Sequence, residues 1–192
     1  MLGSLATFGY ADKKTLWELQ AALQVNPHAL IIDTRLHPFC HWSTFWQQKS
    51  LEVAYEQRYI WRGDWLGNIH YNKPELSIKL AHEEQGILWL VRGLEKGFTL
   101  ILLCGCFEYE KCHRKVIYDK VKERLGARLP DYHLGQRVLT PCGVGTIDPH
   151  IPLNVHRARN RYAVMFDAPN TQRYFFPSEL KSCEVVQQSL VA

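Results

Sequence analysis

The chain has 192 residues, of which 46% are hydrophobic and 22% are charged. These proportions are those of a globular protein, and they exclude a disordered, collagen-like or coiled-coil chain. The formal net charge of +4 is too small to indicate a nucleic-acid partner by itself.

Patterns of strands and helices alternate at the start of the chain. Leu5 to Tyr10 is a short apolar strand pattern, and Asp12 is placed to cap a helix over residues 16–23. Residues 29–33 form a nearly continuous apolar run of strand length, which is typical of a strand buried on both faces of a parallel sheet. The order predicted for this segment is therefore strand, helix, strand.

The segment over residues 36–77 has no clear period, although Tyr59–Trp61 resembles a strand. Residues 76–94 then carry a helical pattern that Gly97 is placed to end. The strongest strand pattern is residues 98–103, and a helix is expected from Cys112 to Leu125, followed by Gly126. We therefore predict an α/β domain over residues 1–130, with a Rossmann-like, mostly parallel sheet covered by helices.

The composition changes after Pro130. Residues 134–147, 162–166 and 173–177 are rich in β-branched and aromatic side chains and are separated by turn residues. Short strands at this spacing predict a small all-β domain over residues 134–187, which resembles an SH3-like barrel. Such barrels bind proteins or nucleic acids, so a partner of either kind is expected there.

The cysteines and the apolar runs bear on the compartment. Three of the six cysteines, at positions 104, 106 and 112, lie within nine residues, which does not suit a disulfide framework spread over the chain. The N-terminus lacks a basic signal-peptide region, and the longest apolar run, residues 99–106, is shorter than the about 20 residues of a membrane span. We expect a cytoplasmic protein with no membrane partner.

Polar and reactive side chains follow two of the predicted strands. Asp33 and Arg35 come after one strand, and Cys104 ends another, whose loop leads to Cys112, His113 and Arg114 at a helix N-terminus. If the strands are neighbours in a parallel sheet, these groups converge where ligands bind. A thiol at a helix N-terminus beside positive charge is favoured as a thiolate, and the same amides accept anions.

The segments Thr7–Tyr10, Leu30–Arg35 with Pro38, Trp65–Asn68 and Leu102–Arg114 resemble, in order and spacing, the family catalogued as "domain of unknown function 488". The resemblance covers about residues 5–126. It implies a Rossmann-like fold and a polar site whose members are Asp33, Arg35, Cys104, Cys112, His113 and Arg114. This chain has Cys106 where the family commonly has Glu, so a carboxylate role at that position is lost or moves to Glu108.

Three hypotheses for function remain open. In the leading one, a nucleotide- or anion-binding site supports a thiol-dependent enzyme acting on a nucleotide or nucleic acid. Cys104 or Cys112 is then the nucleophile, His113 transfers the proton, and Asp33, Arg35 and Arg114 form the anion site. The competing explanation for Cys104 is that it is a small buried core residue.

The second hypothesis is a non-catalytic adaptor that binds nucleic acid or protein through the C-terminal barrel. Its basic loop contains Arg157, Arg159 and Arg161, which are suited to contact a phosphate backbone. The aromatic segment 42–71, with Arg58 and Arg62, is a second surface on which bases can stack, although aromatic residues more often fill cores.

The third hypothesis is a structural zinc site made from positions 104, 106, 112 and 113. Paired Cys-x-x-Cys motifs are absent, and adjacent Cys112 and His113 are not expected to reach one metal ion. The sequence alone therefore does not favour zinc, and we assign no metal ligands from it.

Overall fold

The computed structural model describes residues 2–11, 16, 19–20, 23–24, 26, 28–126, 137–148, 162–167, 171–175 and 179–182. The chain divides into two compact units, Met1–Gly126 and Ala127–Ala192. The first has a parallel sheet with helices and the second has an antiparallel sheet, so the chain is mixed α/β. Among the described residues, no helix is both long and apolar enough to cross a bilayer.

The strands and helices have the following bounds. The strands are β1 (Leu5–Gly9), β2 (Leu30–Asp33), β3 (Tyr59–Trp61), β4 (Leu100–Cys104), β5 (Arg137–Thr140), β6 (Gly143–Ile147), β7 (Tyr162–Phe166), β8 (Thr171–Phe175) and β9 (Lys181–Ser182). The helices are α1 (Gln48–Tyr55), α2 (Gly63–Leu66), α3 (Glu83–Glu95) and α4 (His113–Leu125), with 3-10 turns at Thr44–Trp46 and Glu56–Arg58. Leu16, Leu19, Gln20, Leu23 and Gln24 are also helical.

The sheet of the first unit has the strand order β1-β4-β2-β3, and all three pairings are parallel. Its register places Gly9 beside Cys104 and Asp33 beside Leu103. The carboxyl ends of the strands therefore lie at one edge, which is the edge where ligands bind in open parallel sheets.

Strand β4 is central, and all five of its residues are buried. Its neighbours β1 and β2 are also almost entirely buried, which explains why these strands are continuous apolar runs and not alternating ones. Each fully buried Leu or Ile contributes about 1.5–3 kcal/mol. This burial fixes the strand ends from which the polar residues project.

The helix predicted over residues 76–94 is wrong at its start, because α3 begins only at Glu83. Backbone groups before it bond elsewhere: Ile69 N donates to Lys79 O, Ala81 N to Gly67 O and His82 N to Trp65 O. These bonds compete with helix formation. The segment 36–77 also contains α1 and α2. These helices have eight and four residues, which is too short for a recognisable helical period of apolar residues in the sequence.

The second unit has the strand order β8-β7-β6-β5-β9, with every pairing antiparallel. Its core contains Val138, Ile147, Tyr162, Val164, Phe166, Phe175 and Leu180. In the part of this unit that the structure describes, β8 and β9 are the two edges of an open sheet, and no closed barrel forms. The predicted helix cap at Asp12 and the predicted nucleic-acid contacts Arg157, Arg159 and Arg161 lie outside the described residues.

Candidate functional site

Four potential metal ligands converge at the carboxyl edge of the parallel sheet. The Sγ atoms of Cys104, Cys106 and Cys112 and a ring nitrogen of His113 all lie within 4.8 Å of one another. The Sγ atoms of Cys104 and Cys106 are 3.5 Å apart, and His113 Nδ1 is 3.8 Å from the Sγ atoms of both Cys104 and Cys112. Cys104, Cys112 and His113 are buried, and Cys106 is exposed. This group can hold a metal ion.

Two secondary-structure ends place these side chains. Cys104 is the last residue of β4, and Cys112 is the N-cap residue of α4, in an extended conformation with φ −103° and ψ 144°. His113 is the first helical residue, so the backbone changes direction between the two positions. Cys112 and His113 were not expected to reach one metal ion, but this change of direction lets both side chains face the same cluster.

The orientation of His113 follows from its contacts with Thr34. Its Nε2 lies 3.0 Å from the Thr34 carbonyl O and 2.9 Å from Thr34 Oγ1. A carbonyl can only accept, and the Thr34 hydroxyl already donates to Leu103 O at 2.9 Å. Nε2 must therefore carry the hydrogen, and Nδ1 faces the sulfur atoms.

Arg114 lies beside the cluster and is buried. Its Nε donates to Cys112 Sγ at 3.2 Å, and its Nη2 donates to Cys106 O at 3.0 Å. A Cβ at Gly9 would overlap Cys106 O and lie 2.6 Å from Arg114 Nη2, so this close approach requires glycine. The arginine predicted to bind an anion thus donates to a sulfur of the same cluster.

The hydrogen bonds concentrate negative charge on Cys112. Donation from the Cys104 and Cys106 thiols lowers the pKa of Cys112, and His113 and Arg114 act in the same direction against burial. The bond with Cys106 lowers the pKa of Cys104, but the bond with Cys112 and burial outweigh it and raise this pKa to about 12. Burial opposes protonation of His113, yet its bonds with Cys106 and Cys112 raise its pKa to about 9.

The predicted pair Asp33 and Arg35 lies at the same edge of the sheet but bonds elsewhere. Arg35 donates to the Asp33 carboxylate through Nε at 2.8 Å and Nη2 at 2.5 Å. Its Nη1 donates to Tyr10 Oη and Trp46 O, and Asp33 Oδ2 accepts from Tyr59 Oη at 2.6 Å. Although burial opposes it, the bond with Asp33 raises the pKa of Arg35. This is a buried ion pair, and its predicted role in binding an anion stays a prediction.

Of the predicted site residues, Cys104, Cys112, His113 and Arg114 meet in one cluster, whereas Asp33 and Arg35 pair with each other. The sequence analysis considered Cys106 only in the zinc hypothesis that it did not favour, and it did not consider Thr34. Cys106 was visible in the Cys-x-Cys pattern, but the role of Thr34 depends on a contact between residues 79 positions apart.

Comparisons with known proteins identify no relative. No protein-family model matches the chain, and no curated protein or solved structure is similar to it at a significant level.

Proposed function

We propose that the first unit is a zinc-binding α/β protein whose ligands are Cys104, Cys106, Cys112 and His113. The observation that carries the proposal is the convergence of three sulfur atoms and one imidazole nitrogen within 4.8 Å. Zinc bond lengths of about 2.3 Å to sulfur and about 2.0 Å to nitrogen place tetrahedral ligand atoms about 3.5–3.8 Å apart. Three of the six distances between ligand atoms, at 3.5, 3.8 and 3.8 Å, lie near that spacing, and all six are within 4.8 Å.

The surroundings of the cluster support a metal. Metal-binding histidines usually donate their other ring N–H to a carbonyl or carboxylate, as His113 does to Thr34 O. Three thiolates exceed the charge of Zn²⁺ by one negative charge, and Arg114 supplies one positive charge to Cys112 Sγ. A buried charge needs such a partner.

The ligand set favours a structural role. Four protein ligands close a tetrahedral site, whereas catalytic zinc sites keep one position open to water or substrate. A metal ion here would join the end of β4 to the start of α4 and hold the intervening loop. The zinc would therefore stabilise the carboxyl edge of the sheet.

Metal analysis of the purified full chain tests the proposal. We expect about one zinc per chain in the wild type, loss of zinc in Cys112→Ser, and retention in Cys142→Ser. Cys142 is the matched control because it is a free, exposed thiol in the second unit. Substitution with Co²⁺ adds a second readout, because tetrahedral thiolate coordination gives intense visible absorption. A folded wild-type chain that binds neither metal would refute the proposal.

A thiol-dependent enzyme acting on a nucleotide or nucleic acid is the second candidate. One observation favours it: Cys112 is the N-cap of α4 and receives a hydrogen bond from Arg114, an environment that stabilises a thiolate nucleophile. In this candidate His113 transfers the proton, and Cys104 donates to the thiolate. Cys112 is only 1% exposed, which supports the metal site over a nucleophile that must meet substrate.

Alkylation separates the two candidates. We expect iodoacetamide to modify Cys112 in the isolated protein only after a chelator removes the metal. Rapid modification of Cys112 in untreated protein, mapped by mass spectrometry, would favour the thiol enzyme. Cys142, exposed in both states, reports that the reagent is active.

For the second unit we propose the predicted SH3-like barrel, with a nucleic acid or protein as its partner. Its support is the antiparallel order β8-β7-β6-β5-β9 around one apolar core. Binding of nucleic acid would require Arg157, Arg159 and Arg161, and their replacement should flatten the salt dependence of binding.

For the first unit we also propose membership of the family "domain of unknown function 488". Its support is that Cys104, Cys112, His113 and Arg114, which carry the resemblance, lie together in the structure.

A further inference from the structure

The loop after β2 exposes aromatic rings at the carboxyl edge of the parallel sheet. We call residues 36–42 the aromatic loop. Within it, Trp42 is 60% exposed and Phe39 is 58% exposed, and the Phe39 ring meets the His41 ring edge to face at 4.8 Å between centroids. Large exposed aromatic groups that lie close together mark binding surfaces more often than single ones do.

The Trp42 ring contacts another aromatic ring of the protein on one side. It lies beside the Tyr10 ring, with 6.0 Å between centroids, and Tyr10 in turn stacks on the buried Trp46 at 4.7 Å and 12°. The Arg35 guanidinium also lies over the Tyr10 ring, 4.9 Å from its centroid. Trp42 therefore packs against the tyrosine of a stacked aromatic pair, while much of its surface faces solvent.

The same tyrosine places Trp42 near the Cys/His cluster. Tyr10 Oη would lie 2.9 Å from a Cβ built on Gly105, the residue between Cys104 and Cys106. The Tyr10 ring thus lies between the exposed indole of Trp42 and the backbone that joins Cys104 to Cys106. A molecule lying on Trp42 would be at the edge of the sheet where ligands of parallel sheets bind.

The composition of the aromatic loop bears on the kind of ligand that it can bind. The aromatic loop contains no Asp, Glu, Lys or Arg, and its two imidazoles belong to His37 and His41; the helix that follows carries one exposed charge of each sign, Lys49 and Glu52. Flat rings stack on a base, and a loop without carboxylates does not repel the phosphate that the base carries. An aliphatic peptide would not need flat rings, and a cationic one would find no acidic partner in this segment.

We propose that the aromatic loop binds a nucleobase, which stacks on Trp42. The base can come from a free nucleotide or from single-stranded nucleic acid, since both offer the same planar ring next to phosphate. This inference goes beyond the proposed zinc site and does not rest on it, because the stacking surface consists of side chains outside the Cys/His cluster.

Binding of a fluorescein-labelled oligouridylate to the full chain, followed by anisotropy, tests the proposal. We expect Trp42→Ala to weaken binding about tenfold or more, Trp42→Phe to retain part of it, and Phe98→Ala to leave it unchanged. Phe98 is the matched control because it is a 43% exposed aromatic that precedes β4, at the opposite edge of the sheet. Because Trp42→Ala removes stacking and no charge, the slope of affinity against salt should stay the same.

Competition by uridine monophosphate then distinguishes the two sources of the base: displacement points to a free nucleotide, and its absence to single-stranded nucleic acid. Equal affinity of wild type and Trp42→Ala, or no binding by folded wild type, would overturn the proposal. Self-association that depends on Trp42, without oligonucleotide binding, would assign the surface to a protein partner and overturn it as well. Zinc content, measured on the same samples, shows separately whether the proposed metal site has failed.

Discussion

His113 Nε2 donates to the carbonyl oxygen of Thr34 at 3.0 Å, across 79 positions of sequence. The contact joins the start of α4 to the residue that follows β2, and it turns the other ring nitrogen toward three cysteines. Its geometry explains how a histidine next to a cysteine in sequence can share one site with that cysteine.

Replacing Thr34 tests this support of His113. Thr34→Val removes the hydroxyl that accepts from Nε2 and donates to Leu103 O. We expect zinc affinity to fall about tenfold, the lower end of the range for residues that orient a metal ligand. Competition with a chromophoric chelator measures the change, with the exposed Thr44→Val as control. Equal affinity of wild type and Thr34→Val would show that the backbone carbonyl alone orients the ring.

Removal of the metal should destabilise the first unit. A ligand bound only by the folded state stabilises it by about 4 kcal/mol when its free concentration is a thousand times its dissociation constant. We therefore expect a chelator to lower the melting temperature of the wild type and of Cys142→Ser, and added zinc to restore it. Cys112→Ser should not respond to either treatment. A thermal shift by zinc in Cys112→Ser equal to that of the wild type would contradict the assigned ligand set.

Replacing Gly9 tests the close packing of β1 against Cys106 and Arg114. In Gly9→Ala the new methyl group would overlap Cys106 O and crowd Arg114 Nη2, so the loop must shift. We expect a loss of about 1–3 kcal/mol in the free energy of unfolding and a weaker metal site. The control is Gly93→Ala in α3, whose nearest neighbour is the end of the Leu100 side chain at 3.2 Å. Urea denaturation that showed equal losses for both variants would argue against a special need for glycine at position 9.

The buried pair of Asp33 and Arg35 should be structural. Asp33→Asn leaves the Arg35 guanidinium buried without its carboxylate, and breaking such a pair costs about 3–5 kcal/mol. The double variant Asp33→Asn with Arg35→Met removes the unpaired charge and should recover part of the loss. Urea denaturation at neutral pH measures both. An Asp33→Asn variant as stable as the wild type would instead support the predicted role of Arg35 in binding an anion.

Tyr59 should make stability depend on alkaline pH. Burial, followed by the charge of Asp33, raises the pKa of Tyr59 above its ordinary value near 10. The unfolded chain therefore loses this proton first, so the contribution is complete below about pH 10 and is lost as the pH rises toward the higher folded value. Tyr59→Phe should cost about 1.5–3 kcal/mol at neutral pH, since Asp33 loses a donor, and should remove this part of the alkaline decline. Unfolding in urea at neutral and alkaline pH measures both effects; an unchanged alkaline slope would contradict the assignment.

Much of the first unit was predictable because its strands are buried on both faces. The runs that became β2 and β4 are nearly continuous apolar segments, and a segment of this kind is stable only inside a sheet covered on both sides. Gly97 and Gly126 were expected to end helices, and both have positive φ, at 88° and 56°. The prediction of a helix over residues 76–82 was wrong because backbone groups there form hydrogen bonds with the segment 65–69. No local sequence pattern encodes this contact.

The sequence by itself determined which residues carry reactive groups and at which ends of β2, β4 and α4 they lie. Only the tertiary structure decided that β2 lies beside β4, that Cys106 joins Cys104 and Cys112, and that Thr34 turns His113 toward them. Local patterns fix where strands and helices begin and end, because those choices depend on neighbouring residues. The site depends on which strands pair and on how one backbone turns between Cys112 and His113, and both are set by packing between residues far apart in the chain.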